Sequence, residues 1–113
     1  MKVVEQDGTT YWIGKNAQDN WDIIKKSEHN WIWFHLDKFP SSHIIICKNA
    51  KEVSKEEINN ACRLLIENSK YKFNNIGIVY CEISNLIFGK EVGSVTFISN
   101  KKVIKNNFFR NKF

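Results

Sequence analysis

The sequence predicts one α+β domain: a mostly antiparallel sheet carrying two main helices, at about 17–27 and 55–67. Three observations point there. A chain of 113 residues fits a single domain. Short runs of strand formers recur along it, separated by turn residues. Between them lie two stretches with helical apolar spacing. One Pro and 5 Gly argue against a disordered chain.

The elements follow in order. Val3 and Val4, the Asp7-Gly8 turn and Thr10-Tyr11-Trp12-Ile13 predict a hairpin over residues 2–14. Gly14-Lys15-Asn16 ends it. In the first helix Ala17, Trp21 and Ile24 share a face, Asn16 is the expected N-cap, and Asp19 suits the first-turn dipole. Residues 31–36 (WIWFHL) and 43–48 (HIIICK) are strands joined by a short loop, hence an antiparallel pair. The unbroken apolar run of the second marks a central strand. Ser54 and Glu57 form a capping box for the second helix. Ile58, Ala61, Cys62, Leu65 and Ile66 make its apolar stripe. Residues 76–82, 94–98 and 102–104 complete the strands.

The net charge of +5 is localised. Residues 101–113 hold Lys101, Lys102, Lys105, Arg110 and Lys112 and no acid, so the first 100 residues balance. The expected division is a domain over 1–105 and a basic aromatic tail over 106–113. Such an end attracts a polyanion or serves only solubility. Three cysteines, with no C-x-x-C, argue for buried free thiols rather than a disulfide framework. No signal peptide or membrane-length apolar run stands out, so a cytoplasmic location is expected.

Candidate chemistry is sparse. His35 and His43 stand at opposite ends of one loop and meet if their strands pair. Two imidazoles can contact nucleic acid, close a loop through hydrogen bonds, or act as base and acid on a phosphodiester. No further ligand has zinc spacing, and no nucleophile, phosphate-loop or metalloprotease motif occurs. Neither a catalytic residue, a metal nor a cofactor is expected. Trp31 and Trp33 share one strand face, which either fills the core or stacks bases.

Several motifs in order resemble one family. Ile32-Trp33-Phe34-His35, then Pro40-Ser41-Ser42-His43 and an apolar strand, resemble the NFACT-R domain, the RNA-binding module of the NFACT proteins. Ile13-Gly14-Lys15-Asn16 with Asn20, then Ala61, Asn68-Ser69, Ile78-Val79-Tyr80 and Val92-Gly93-Ser94-Val95, continue the likeness. It covers about residues 10–105. Within the family the chain is most similar to the stand-alone eukaryotic coiled-coil-domain-containing form, here without its coiled coil. The pattern departs at Trp31, where relatives carry an acid, and at Ser41, where many carry glycine.

The resemblance implies a non-catalytic RNA-binding module that meets tRNA or ribosomal RNA in translation or ribosome quality control. It does not carry over tail-adding activity, because the other domains of the large members are missing. The residues expected at RNA are Lys15, Asn16, Asn20, His35, Lys38, Ser42 and His43, with Lys101, Lys102 and Lys105 supplying phosphate attraction. A protein-interaction module, docking on the ribosome or a ribosome-associated protein, is the alternative, as is a general DNA binder. The sequence sets no oligomeric state.

Overall fold

The structure is a computed structural model, and it describes residues 1–71 and 74–109. Among the described residues, eight strands and two α-helices follow in chain order: β1 (Lys2–Gln6), β2 (Thr9–Ile13), α1 (Ala17–Lys25), β3 (Ile32–Leu36), β4 (Ile44–Ile46), α2 (Lys55–Glu67), β5 (Asn75–Glu82), β6 (Leu86–Phe88), β7 (Val95–Phe97) and β8 (Ile104–Phe109). Six strands form one sheet in the order β1-β2-β4-β3-β5-β8, and β6 pairs with β7 separately. Every pairing is antiparallel. The expected α+β class with two main helices is the observed one.

Local chemistry explains the framework. Asp7 and Gly8 both take positive φ (50° and 82°), the pair of values a two-residue hairpin turn needs. The Ser54–Glu57 capping box is fully formed at the start of α2. Helix α2 packs on one sheet face, against Tyr11, Phe34, Leu36, Ile44 and Ile46. Helix α1 covers part of the other, against Trp33, Ile45, Val79 and Cys81. Strands β3 and β4 lie between these layers, so their apolar residues are buried on both faces, as the run in β4 implies.

Several expectations need correction. The buried face of α1 is Asn20, Ile23 and Ile24, while Ala17 is exposed and Trp21 half-buried. Trp21 is drawn aside because its Nε1–H donates to the Ser94 carbonyl at 2.8 Å and its ring meets Phe88 edge-on. Strand β6 was not anticipated. The strand expected at 102–104 is a 3₁₀ turn over Asn100–Lys102, and the true strand starts at Ile104. Strand β8 runs to Phe109, so a boundary at residue 105 falls inside a strand. Residues 110–113, including Arg110 and Lys112, lie outside the described residues.

Trp33 is 1% exposed and belongs to the core, which removes it as a base-stacking platform. Cys62 and Cys81 are buried and Cys47 half-buried, all as free thiols. Burial pushes their pKa values up to about 12, 11 and 12 respectively.

Candidate nucleic-acid interface

A cleft of about 840 Å³ opens where the N-terminal end of α1, the loop between β3 and β4, the turn before β7 and the end of α2 converge. Lys15, Asn16, Asn20, His35, Lys38, Ser42 and His43 all line it. Residues scattered from Lys15 to His43 therefore reach one place, through two strands and a helix.

Its floor, His43, His35 and Val79, is part of a row across the sheet that continues past the cleft. The antiparallel register pairs His35 with Val79 and Val79 with Lys105. Continuing the Phe34–Ile44 pairing sets His43 opposite His35. Directly paired residues share a face. His43, His35, Val79 and Lys105 thus lie in line on the α1 side of the sheet.

The deep end is tightly specified. The Gly14 N–H donates to the His43 carbonyl at 3.0 Å, prolonging the β2–β4 pairing. The His43 N–H donates to Asn20 Oδ1 at 3.1 Å. A Cβ on Gly14 would overlap the Asn20 side chain, so glycine is what admits that amide to the strand end. Asn20 consequently positions His43 from within the fold. Asn16 caps α1, its Oδ1 accepting from the Asp19 N–H at 2.8 Å.

The two imidazoles are held in defined states. Trp33 Nε1–H donates to His43 Nδ1 at 2.9 Å, and His35 Nδ1 lies 2.6 Å from the Leu36 carbonyl. His35 stacks on Trp33, and the two histidine rings meet at right angles with centroids 5.0 Å apart. Burial pulls His43 down to about 3, with His35 adding to the effect. Burial also lowers His35, outweighing the Leu36 carbonyl and Asp37, which act in the opposite sense.

The loop closes on itself. Ser41 Oγ accepts from the Leu36 N–H at 3.1 Å and donates to the Ser42 carbonyl at 2.9 Å. The left-handed residue is Lys38 (φ 72°), not Ser41. Position 41 therefore makes no demand for glycine, and the serine hydroxyl does the closing. Trp31 lies outside the cleft, packed edge-on against Trp12 at 5.3 Å.

The wall from Glu91 to Val95 went unnoticed as part of a site. Its signal was Gly93. There φ is +89°, and a Cβ would stand 2.9 Å from the Ala17 Cα, so only glycine lets this turn rest on the start of α1. Lys101 and Lys102 on the turn before β8 and Lys105 on β8 are all exposed and do not line the cleft; Lys105 stands beside it, paired with Val79. Among the described residues no cluster of His, Cys, Asp and Glu could hold a metal, and no helix is long and apolar enough to cross a membrane.

A family model described as the NFACT protein RNA binding domain matches residues 1–99. The chain belongs to this family. The NFACT-R domain here is 32% identical over 108 residues to coiled-coil domain-containing protein 25 of Bos taurus, covering 88% of this chain and 52% of that protein. To the Danio rerio protein of the same name it is 33% identical over 102 residues, covering 83% and 49%. It thus spans about half the length of these curated relatives, which agrees with the expected likeness to the stand-alone eukaryotic form. It also superposes on the C-terminal part of the fibronectin/fibrinogen-binding protein from Streptococcus suis with a TM-score of 0.78 at 26% identity. That match covers 95% of this chain and 43% of the other.

Proposed function

We propose that this NFACT-R domain is a non-catalytic module that binds RNA in its cleft. Its target is tRNA or ribosomal RNA, in translation or ribosome quality control in the cytoplasm. The observation that carries this reading is the convergence of seven motif residues of an RNA-binding family on one cleft. Lys15 and Lys38 stand exposed at its rim, and Lys105 continues the row onto β8 beside it, with Lys101 and Lys102 one turn away. Lysines supply sequence-independent phosphate attraction, and the polar groups beside them fix register. Acid–base cleavage of RNA works best with imidazoles that titrate near neutrality. A His43 held at about 3 is unsuited to that task, which favours binding over turnover.

The test is tRNA binding by fluorescence anisotropy across a salt series. Affinity should fall steeply with salt. Lys38→Ala and Lys105→Ala should each weaken binding and shallow the log–log salt slope by about 1. Binding indifferent to salt and to both substitutions contradicts the reading. A protein-docking role has its own observation: Ile87, Phe88, Val92 and Ile98 are exposed on and around the β6–β7 hairpin. Capture of a ribosome-associated protein that is lost on Ile98→Asp, with no RNA binding, would favour it.

A further inference from the structure

We propose that the cleft takes one unpaired nucleotide of the bound RNA, its base edge meeting a donor on His43 and an acceptor on His35. This rests on the RNA-binding reading and names the part of the RNA that enters.

The hydrogen bonds fix both tautomers. An indole N–H can only donate, so His43 Nδ1 accepts from Trp33 and carries no proton. The proton of the neutral ring is then on Nε2. A carbonyl can only accept, so His35 Nδ1 carries the proton toward Leu36, and its Nε2 is a lone pair. Burial lowers both pKa values, so each ring keeps a single proton at neutral pH. One ring therefore offers Nε2–H and its neighbour offers Nε2, with centroids 5.0 Å apart.

Both Nε2 atoms face the cleft. Among the described residues neither has a protein partner, yet no buried side-chain nitrogen or oxygen is left without one. The two atoms must reach the open space that both residues line. A donor beside an acceptor at the cleft surface, both locked by second bonds, is a preorganised reader of a matching group.

Every nucleobase carries that match. A ring or exocyclic N–H lies beside a ring nitrogen or carbonyl oxygen on the edge used for pairing. In a duplex this edge is occupied; in a loop, bulge or end it is free, which is where proteins read RNA bases. The cleft volume of about 840 Å³ lies within the ~300–1,000 Å³ of pockets that enclose one small ligand. From His35 the row across the sheet runs two strands to Lys105 beside the cleft, about 10 Å at the usual strand spacing. The neighbouring phosphate can be met there.

Two duplex RNAs of equal phosphate number, one blunt and fully paired and one with a single bulged base, test this by anisotropy. The bulged RNA should bind about tenfold tighter, within the discrimination of one paired set of hydrogen bonds. His35→Phe keeps the flat ring on Trp33 and removes the acceptor. It should erase the tenfold difference between the two RNAs. Equal binding of the two RNAs by the wild type overturns the inference while the RNA-binding reading stands. So does a preference that survives in a folded His35→Phe. No binding of either RNA removes the reading itself. If His35→Phe does not fold, imidazole ¹⁵N spectra of the wild type decide: bulged RNA moving both Nε2 resonances supports the pair, and unmoved resonances overturn it.

Discussion

His43 joins three elements of the molecule at the deep end of the cleft. Its backbone links β2 through Gly14 and α1 through Asn20, and its ring accepts from the Trp33 indole. At 2% exposure a charge on it would be both desolvated and opposed by the indole N–H. Its ring should therefore show no titration between pH 8 and 5 by NMR, whereas an exposed histidine titrates near 6.5. The linkage has a definite sign. The unfolded chain takes up this proton below about 6.5, while the folded chain resists to about 3. Between those values the unfolded state binds more protons, so stability falls as pH drops through the window. Urea midpoints from pH 7 to pH 4 measure it, and a flat profile contradicts this assignment. The meeting of His35 and His43 was legible because strand pairing follows from a short loop between two apolar runs. Their tautomers were not, since these depend on an indole and a carbonyl whose positions only the fold sets.

At the scale of elements, Glu57 ties three segments together. It accepts from the Thr9 hydroxyl on β2, from Lys48 Nζ at 2.9 Å after β4, and from the Ser54 N–H at 2.7 Å in its own capping box. Burial alone would raise its pKa; these bonds outweigh burial and hold it at about 2. Its stabilising effect is complete above the ordinary carboxylate value near 4.5 and is lost as pH falls toward 2. Glu57→Gln should lower stability at pH 7 by about 1–3 kcal/mol and remove that part of the acid dependence. Denaturant titrations at pH 7 and pH 3 check both. The capping box was legible because Ser and Glu stand three apart before an apolar stripe. The Thr9 and Lys48 bonds were not, being contacts 48 and 9 residues away. Helix α1 shows the opposite failure. Apolar spacing placed Trp21 inward, but its indole follows the Ser94 carbonyl, and polar Asn20 takes the buried position to serve His43. Strand β8 escaped because Lys105, Asn106 and Asn107 do not read as strand formers. Pairing along Asn75–Tyr80 overrides their propensity.

Across the whole molecule, the sheet's two faces have different tasks. Helix α2 seals one with aliphatic and aromatic residues. Helix α1 and the β6–β7 hairpin cover only part of the other, and the uncovered part is the cleft. The charge distribution accords with this division: among the described residues, Lys101, Lys102 and Lys105 of the basic end stand on the turn and strand beside the cleft. The location of that basic end was visible in the sequence, but its path was not. The expected domain boundary at 105 falls within a sixth sheet strand, which brings Lys105 into line with His35. The departures from the family pattern also read differently in three dimensions. Trp31 is absorbed by packing on Trp12, and Ser41 closes the loop with its hydroxyl, so neither disrupts the cleft.

The most direct measurement is an amide ¹⁵N–¹H titration of the full chain with tRNA. RNA binding in the cleft predicts shift changes concentrated at residues 14–17, 36–43, 68–70 and 91–95 and along β8, with the body of α2 and its sheet face unmoved. Changes confined to the β6–β7 hairpin around Ile87, Phe88 and Ile98, or no changes at low salt, would contradict the cleft as the site.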